Sequence, residues 1–153
     1  MTSPAFSTLL VALDGSPGSG EAFDVALALA AASHARLELC TVVDASTFAG
    51  FAPPSRQMDQ AIAIAELEGK ALLDRSLQRA GERGVACHGE TLLGDPKTEI
   101  VEYAKRLEPS AIVIGTHGRS GLRRVLMGSV AESVLRRAPC PVITVRQHRK
   151  ERH

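Results

Sequence analysis

Five short apolar runs, most of them ended by turn residues and separated by helix-patterned segments, leave this chain few folds to choose from. Thr8–Leu13 (TLLVAL) stops at Asp14-Gly15-Ser16-Pro17-Gly18, Leu37–Val43 at Asp44, and Ala111–Ile114 at Gly115. Val85–Leu93 is a weaker third run, interrupted by His88 and Gly89, and Pro141–Val145 is the fifth. Short runs that are apolar at consecutive positions predict strands buried on both faces. Between them, an Ala-rich stretch predicts a helix over 19–33. A second helix is expected over 57–80, with Met58, Ile62, Ala65, Leu72 and Ala80 near one face and Gly81 and Gly84 as its end. Asp95-Pro96 places a capping acceptor before a proline that suits the first helical position, and Ile100, Val101, Ala104 and Leu107 form the stripe that follows. The last helix is expected over 129–138. Residues 45–55 (ASTFAGFAPPS) read as a loop and 147–153 (QHRKERH) as a polar tail.

Strict β-α alternation implies parallel strands joined by right-handed crossovers, with helices on both faces of an open five-stranded sheet. With the strands in the order 3-2-1-4-5, the chain reverses direction between strands 1 and 4. A crevice opens there, outside the carboxyl ends of the strands, and ligands of open α/β sheets bind in such crevices. The loops that would meet at it begin at Asp14 and at Gly115.

A length of 153 residues suits one domain over 1–153. A formal charge of +1 supplies no overall field toward nucleic acid or a membrane surface, so neither is an expected partner. No apolar stretch reaches the ~20 residues of a membrane span, and the first ten residues lack a secretory pattern, so a cytoplasmic protein is expected. Cys40, Cys87 and Cys140 are scattered, without ligand-type spacing, and read as reduced structural thiols.

The segment that carries chemistry is Gly115-Thr-His-Gly118-Arg119-Ser-Gly121, continuing to Gly128-Ser129-Val130. Glycines let backbone N–H groups approach an oxyanion, and a helix opening at Gly128-Ser129 presents free N–H groups and a positive dipole end. Ser129 either caps that helix or offers its hydroxyl to a phosphate. Arg119, Arg123 and Arg124 either add charge at the site or are solvated. Asp14 either lines the crevice or only caps the first helix or braces the turn. For His117 the sequence supplies no acidic partner or nucleophile.

The spacing Gly115-x2-Gly118-x9-Gly128-Ser129 matches the G-x2-G-x9-G-[S/T] signature of ATP-binding universal stress proteins. The first strand running into Asp-Gly-Ser, the strand ending Thr41-Val42-Val43-Asp44, and the closing Ala138-Pro-Cys-Pro-Val-Ile-Thr-Val145 also resemble that family, with the 45–55 loop least alike. The resemblance implies a Rossmann-like fold of the type shared with adenine-nucleotide α-hydrolases. It also implies roles at matching positions: Asp14 in the nucleotide crevice, the Val42 backbone at the adenine edge, and Gly115 beside the ribose. Gly118, Arg119, Gly128, Ser129 and Val130 would contact the phosphates. The implied cofactor is ATP with Mg²⁺ or Mn²⁺, the metal held mainly by phosphate oxygens and water. The implied assembly is a homodimer through the fifth strand, Pro141 to Val145, whose apolar edge invites pairing, with a further protein partner left unidentified.

Other phosphate and hydrolase motifs fail. Gly15 and Gly20 have the Walker spacing, but Glu21-Ala22 stands where Lys and Ser/Thr are required. No G-x-G-x-x-G follows the first strand, and Leu122 breaks the hydrolase elbow around Ser120. A receiver domain would need a pair of acids where Asp14 stands alone. The expected function is therefore a nucleotide-responsive stress or signalling module, with a slow ATP hydrolase or phosphotransfer enzyme as the alternative.

Overall fold

The structure, a computed structural model, describes residues 6–48, 55–117 and 127–148. Expectations that fall on Gly118, Arg119, Arg123, Arg124, residues 49–54 and residues 149–153 lie outside the described residues. The elements are β1 (Thr8–Ala12), α1 (Pro17–Ser33), β2 (Arg36–Asp44), a 3₁₀ turn (Ala45–Phe48), α2 (Arg56–Glu82), β3 (Cys87–Gly94), α3 (Pro96–Leu107), β4 (Ala111–Gly115), α4 (Ser129–Arg137) and β5 (Val142–Val145). The sheet has five strands in the order β3-β2-β1-β4-β5, and every neighbouring pair is parallel. Fold class and strand order are those the sequence implied.

The central strand is fixed by burial. Leu9, Leu10 and Val11 are all 0% exposed. Each contributes about 1.5–3 kcal/mol of burial, more than the ~1 kcal/mol span of strand propensities. Alternation sends Leu9 and Val11 into a cluster with Phe23, Leu37, Leu39 and Val113 under α1 and α2. Leu10 goes to the opposite cluster with Ile112, Ile114, Ile100, Val101 and Val134 under α3 and α4.

Several boundaries differ from those read in the sequence. Helix α1 begins at Pro17 rather than Ser19, because Ser16 caps it by accepting the Ser19 N–H at 3.2 Å and Pro17 occupies its first turn. Gly81 lies inside α2; the turn is made at Gly84, which has φ +69°. Strand β3 runs through His88 and Gly89, and Gly89 lies against Leu73 of α2: a Cβ there would stand 3.2 Å from the leucine Cδ2, close enough to push that side chain by a few tenths of an ångström. The expected stripe of α2 is buried only at its C-terminal end. Ala80 is buried, together with the unforeseen Leu73 and Ser76, while Met58, Ile62 and Ala65 are half-buried. Length explains this: 27 helical residues span roughly 40 Å, whereas the nine residues of β2 span roughly 30 Å. The first turns of α2 therefore have less sheet beneath them.

Candidate functional site

The strand ends are built from local turn chemistry. After β1, Leu13 donates its N–H to the Cys40 carbonyl at 2.8 Å. Asp14 then accepts the Ser16 N–H on Oδ1 at 2.9 Å, and its own N–H donates to Ser19 Oγ at 3.3 Å. Gly15 between them has φ +79°, which glycine alone adopts without strain. Asp14 thus braces the turn, while the cap of α1 is Ser16, so the capping alternative for Asp14 is corrected. Beside it, β1 stops at Ala12, opposite Cys40. Strand β2 continues to Asp44, so the β1-facing edge of Thr41–Asp44 has no strand partner among the described residues.

After β4, the chain is pressed against the first turn of α1. A Cβ on Gly115 would meet the Gly18 carbonyl oxygen at 2.7 Å, and a Cβ on Gly18 would collide with the carbonyl oxygen of His117. Gly115 and Gly18 are therefore packing glycines, small because two backbones touch. Sequence reading missed Gly18, since only the fold brings it against His117. Thr116, 6% exposed, holds His117 Nδ1 through its hydroxyl at 3.1 Å. Its carbonyl accepts the Gly128 N–H at 2.5 Å, so the two ends of the glycine-rich segment are clasped together.

Helix α4 opens on Gly128 as N-cap, with no side-chain cap bond. Ser129 is its first residue and not its cap, correcting one of the two readings of that serine. Gly128 has φ −67°, open to any residue, so a glycine there provides space rather than special geometry.

These pieces enclose a cavity of about 710 Å³ at the carboxyl ends of the strands. Every described residue that the resemblance assigned to the nucleotide site borders it: Asp14, Val42, Gly115, Gly128, Ser129 and Val130. Its size is in the range of small-molecule and cofactor sites. Cys40 lies on the floor, where burial and then Glu90 push its thiol up to about 12, so it stays protonated and unreactive. Two walls were not foreseen. Helix α2 supplies Ala65, Glu68, Leu72 and Arg75 at helical spacing, and α3 supplies Pro96 and Ile100. Their hydrophobic periodicity was visible, but which face turns toward a crevice depends on tertiary placement. Among the described residues no group of three or more His, Cys, Asp or Glu could hold a metal ion by itself. No helix among them is long and apolar enough to cross a membrane.

Comparison with known proteins gives this geometry a family. The model of the universal stress protein family matches residues 5–146. The chain belongs to the universal stress protein family. A universal stress protein of Methanocaldococcus jannaschii is 38% identical over 146 residues, covering 95% of this chain and 85% of the relative. Among solved universal stress proteins, that of Lactobacillus plantarum superposes with a TM-score of 0.83 at 28% identity, covering 92% of this chain and 97% of the other. Another, solved in complex with cAMP, has a TM-score of 0.68 at 28% identity and covers 94% and 98%.

Proposed function

We propose that this universal stress protein binds ATP, accompanied by Mg²⁺ or Mn²⁺, in the crevice between β1 and β4. In this reading it acts in the cytoplasm as a single-domain, nucleotide-responsive module of the stress response. The observation that carries it is convergence: six residues from four separate segments, Asp14, Val42, Gly115 and Gly128–Val130, border one cavity. Their chemistry suits the parts of a nucleotide. The unpaired backbone edge of β2 at Val42 can read the edge of an adenine ring. In this reading Asp14, held by its turn, lines the nucleotide crevice, and Gly115 lies beside the ribose. The uncapped N–H groups of α4, with Ser129 Oγ beside them, suit phosphate oxygens. A metal ion would neutralise phosphate charge and take its ligands from phosphate and water, as no cage of protein ligands is needed for Mg²⁺. The complex of a 28%-identical family member with cAMP supports an adenine nucleotide as the ligand class.

The protein has no Trp, so a fluorescent ATP analogue is the practical probe. Displacement by ATP at concentrations where GTP fails is the expected result, and equal displacement by GTP removes the adenine-specific part of the proposal.

We propose in addition a homodimer through β5. That strand is a sheet edge of sequence Val-Ile-Thr-Val, with no charge before Arg146. The opposite edge, β3, carries His88 and Glu90, and charges on an edge discourage pairing. Such a dimer leaves the crevice of each subunit open to nucleotide and to a protein partner.

A further inference from the structure

Glu38 is the third residue of β2 with its side chain 3% exposed, a carboxylate in a strand rich in leucine and valine. Burial of a lone carboxylate is costly, and three donors offset it here. Arg36 pairs with Oε1 from the same strand. His88, directly opposite on β3, places Nδ1 2.8 Å from Oε2. The Tyr103 hydroxyl of α3 donates to Oε2 at 3.4 Å. Glu90 is a second carboxylate that acts on the Tyr103 hydroxyl. Burial first, and then the two carboxylates, hold its proton well above the usual phenol range, so it remains a donor at every physiological pH. Arg106 stacks over its ring at 5.5 Å.

The place of this network in the fold gives it a consequence. Glu38, Cys40 and Val42 share one face of β2 at two-residue spacing. Pro96, Ile100 and Tyr103 follow one another on one face of α3 at i, i+4 and i+7. Cys40, Val42, Pro96 and Ile100 border the cavity. Glu38 and Tyr103 are the next layer down on the same two elements. The network therefore ties the α3 wall of the crevice to its β2 floor beneath the Val42 end.

We propose that Tyr103, through Glu38, is a positioning residue for the base of the bound nucleotide: it sets the gap between Ile100 and Val42 into which a flat ring must fit. The proposal rests on the nucleotide reading above and adds which part of the ligand the buried carboxylate serves. Groups at the phosphate end, held by Gly128 and the start of α4, are outside its reach.

The test compares ATP with inorganic tripolyphosphate as competitors of a fluorescent ATP analogue, on the parent chain, Tyr103→Phe and Glu38→Gln. The expected result is a loss of ATP affinity of about fivefold in Tyr103→Phe, the scale of one net hydrogen bond. Glu38→Gln should move the same way, and tripolyphosphate affinity should be unchanged in both. A general loosening of the fold weakens both ligands together, and that outcome overturns the proposal. So do variants that bind ATP as the parent does. A parent chain that binds neither ligand overturns the nucleotide reading itself, and this inference with it.

Discussion

At Gly115 two demands meet. The proposed nucleotide reading puts it beside the ribose, yet its missing side chain already has a structural purpose in the 2.7 Å gap to the Gly18 carbonyl. Gly115→Ala is therefore expected to destabilise the protein by about 1–3 kcal/mol, the usual cost of forcing extra atoms into packed space, read as a shift in the urea midpoint. Gly128 should behave oppositely. Its φ of −67° and ψ of 157° suit a β-branched residue. Gly128→Val should keep the fold while weakening ATP binding at least about tenfold, because the side chain stands where α4 would meet phosphate. Binding that survives this change would move the phosphate end elsewhere. Cys40 and Cys87 yield a pH prediction. Burial raises Cys40 to about 12 and Cys87 to about 11, from an ordinary value of 9.0. A thiol raised on folding keeps its proton in the native state after the unfolded chain has lost it, so stability is intact below about pH 9 and declines as pH rises toward these values. Urea titrations at pH 8 and at pH 10.5 should show the drop, and Cys40→Ala should make it shallower. A pH-independent midpoint would contradict the burial of these thiols.

Among the elements, β5 makes the sharpest prediction. Pro141 and Val145 give their carbonyls to Ile112 and Thr116, so the alternate residues Val142 and Thr144 turn their backbone groups away from β4. Only those two N–H groups within β5 can serve a second strand, fewer than the apolar sequence suggested. Ile143 and Val145 also pack on the core, so charged replacements there would confound dimerisation with stability. Thr144→Pro removes one outward donor and leaves the β4 ladder intact. It is expected to shift a dimer to monomer in light scattering, with an unchanged circular dichroism spectrum. A parent chain monomeric at high micromolar concentration would refute the interface. The elements themselves were largely legible because several carry their own punctuation: Asp95-Pro96 at the start of α3 and a glycine after the second helix, whereas Ser16-Pro17 reads in the sequence as part of the preceding turn, which starts α1 two residues late. What escaped was relational. The half-buried start of α2 depends on how far that helix outruns β2, and Gly18 matters only once α1 lies against β4. Likewise, Glu38 reads as a flaw in a strand until His88 and Tyr103 are seen on either side of it.

For the whole molecule, strand order decides where function can reside. The order β3-β2-β1-β4-β5 puts the turns after β1 and β4 side by side, and the motif residues from distant segments converge for that reason. The proposed role is to hold a nucleotide rather than to turn it over. Thr116, the hydroxyl beside His117, is buried, and the Cys40 thiol on the floor is locked in its protonated form. Hydrolysis of ATP is therefore expected to run well below the ~10 s⁻¹ median of enzymes. A steady-state phosphate-release assay checks this, and rapid metal-dependent turnover abolished by His117→Ala would replace the proposed binding module with an enzyme. The most direct test of the account is titration calorimetry of the parent chain and of Gly128→Val with ATP in the presence of Mg²⁺. The account predicts saturable binding of one ATP per chain to the parent and a binding isotherm weakened at least about tenfold in the variant. Absence of binding to the parent, or equal binding to both, would contradict it.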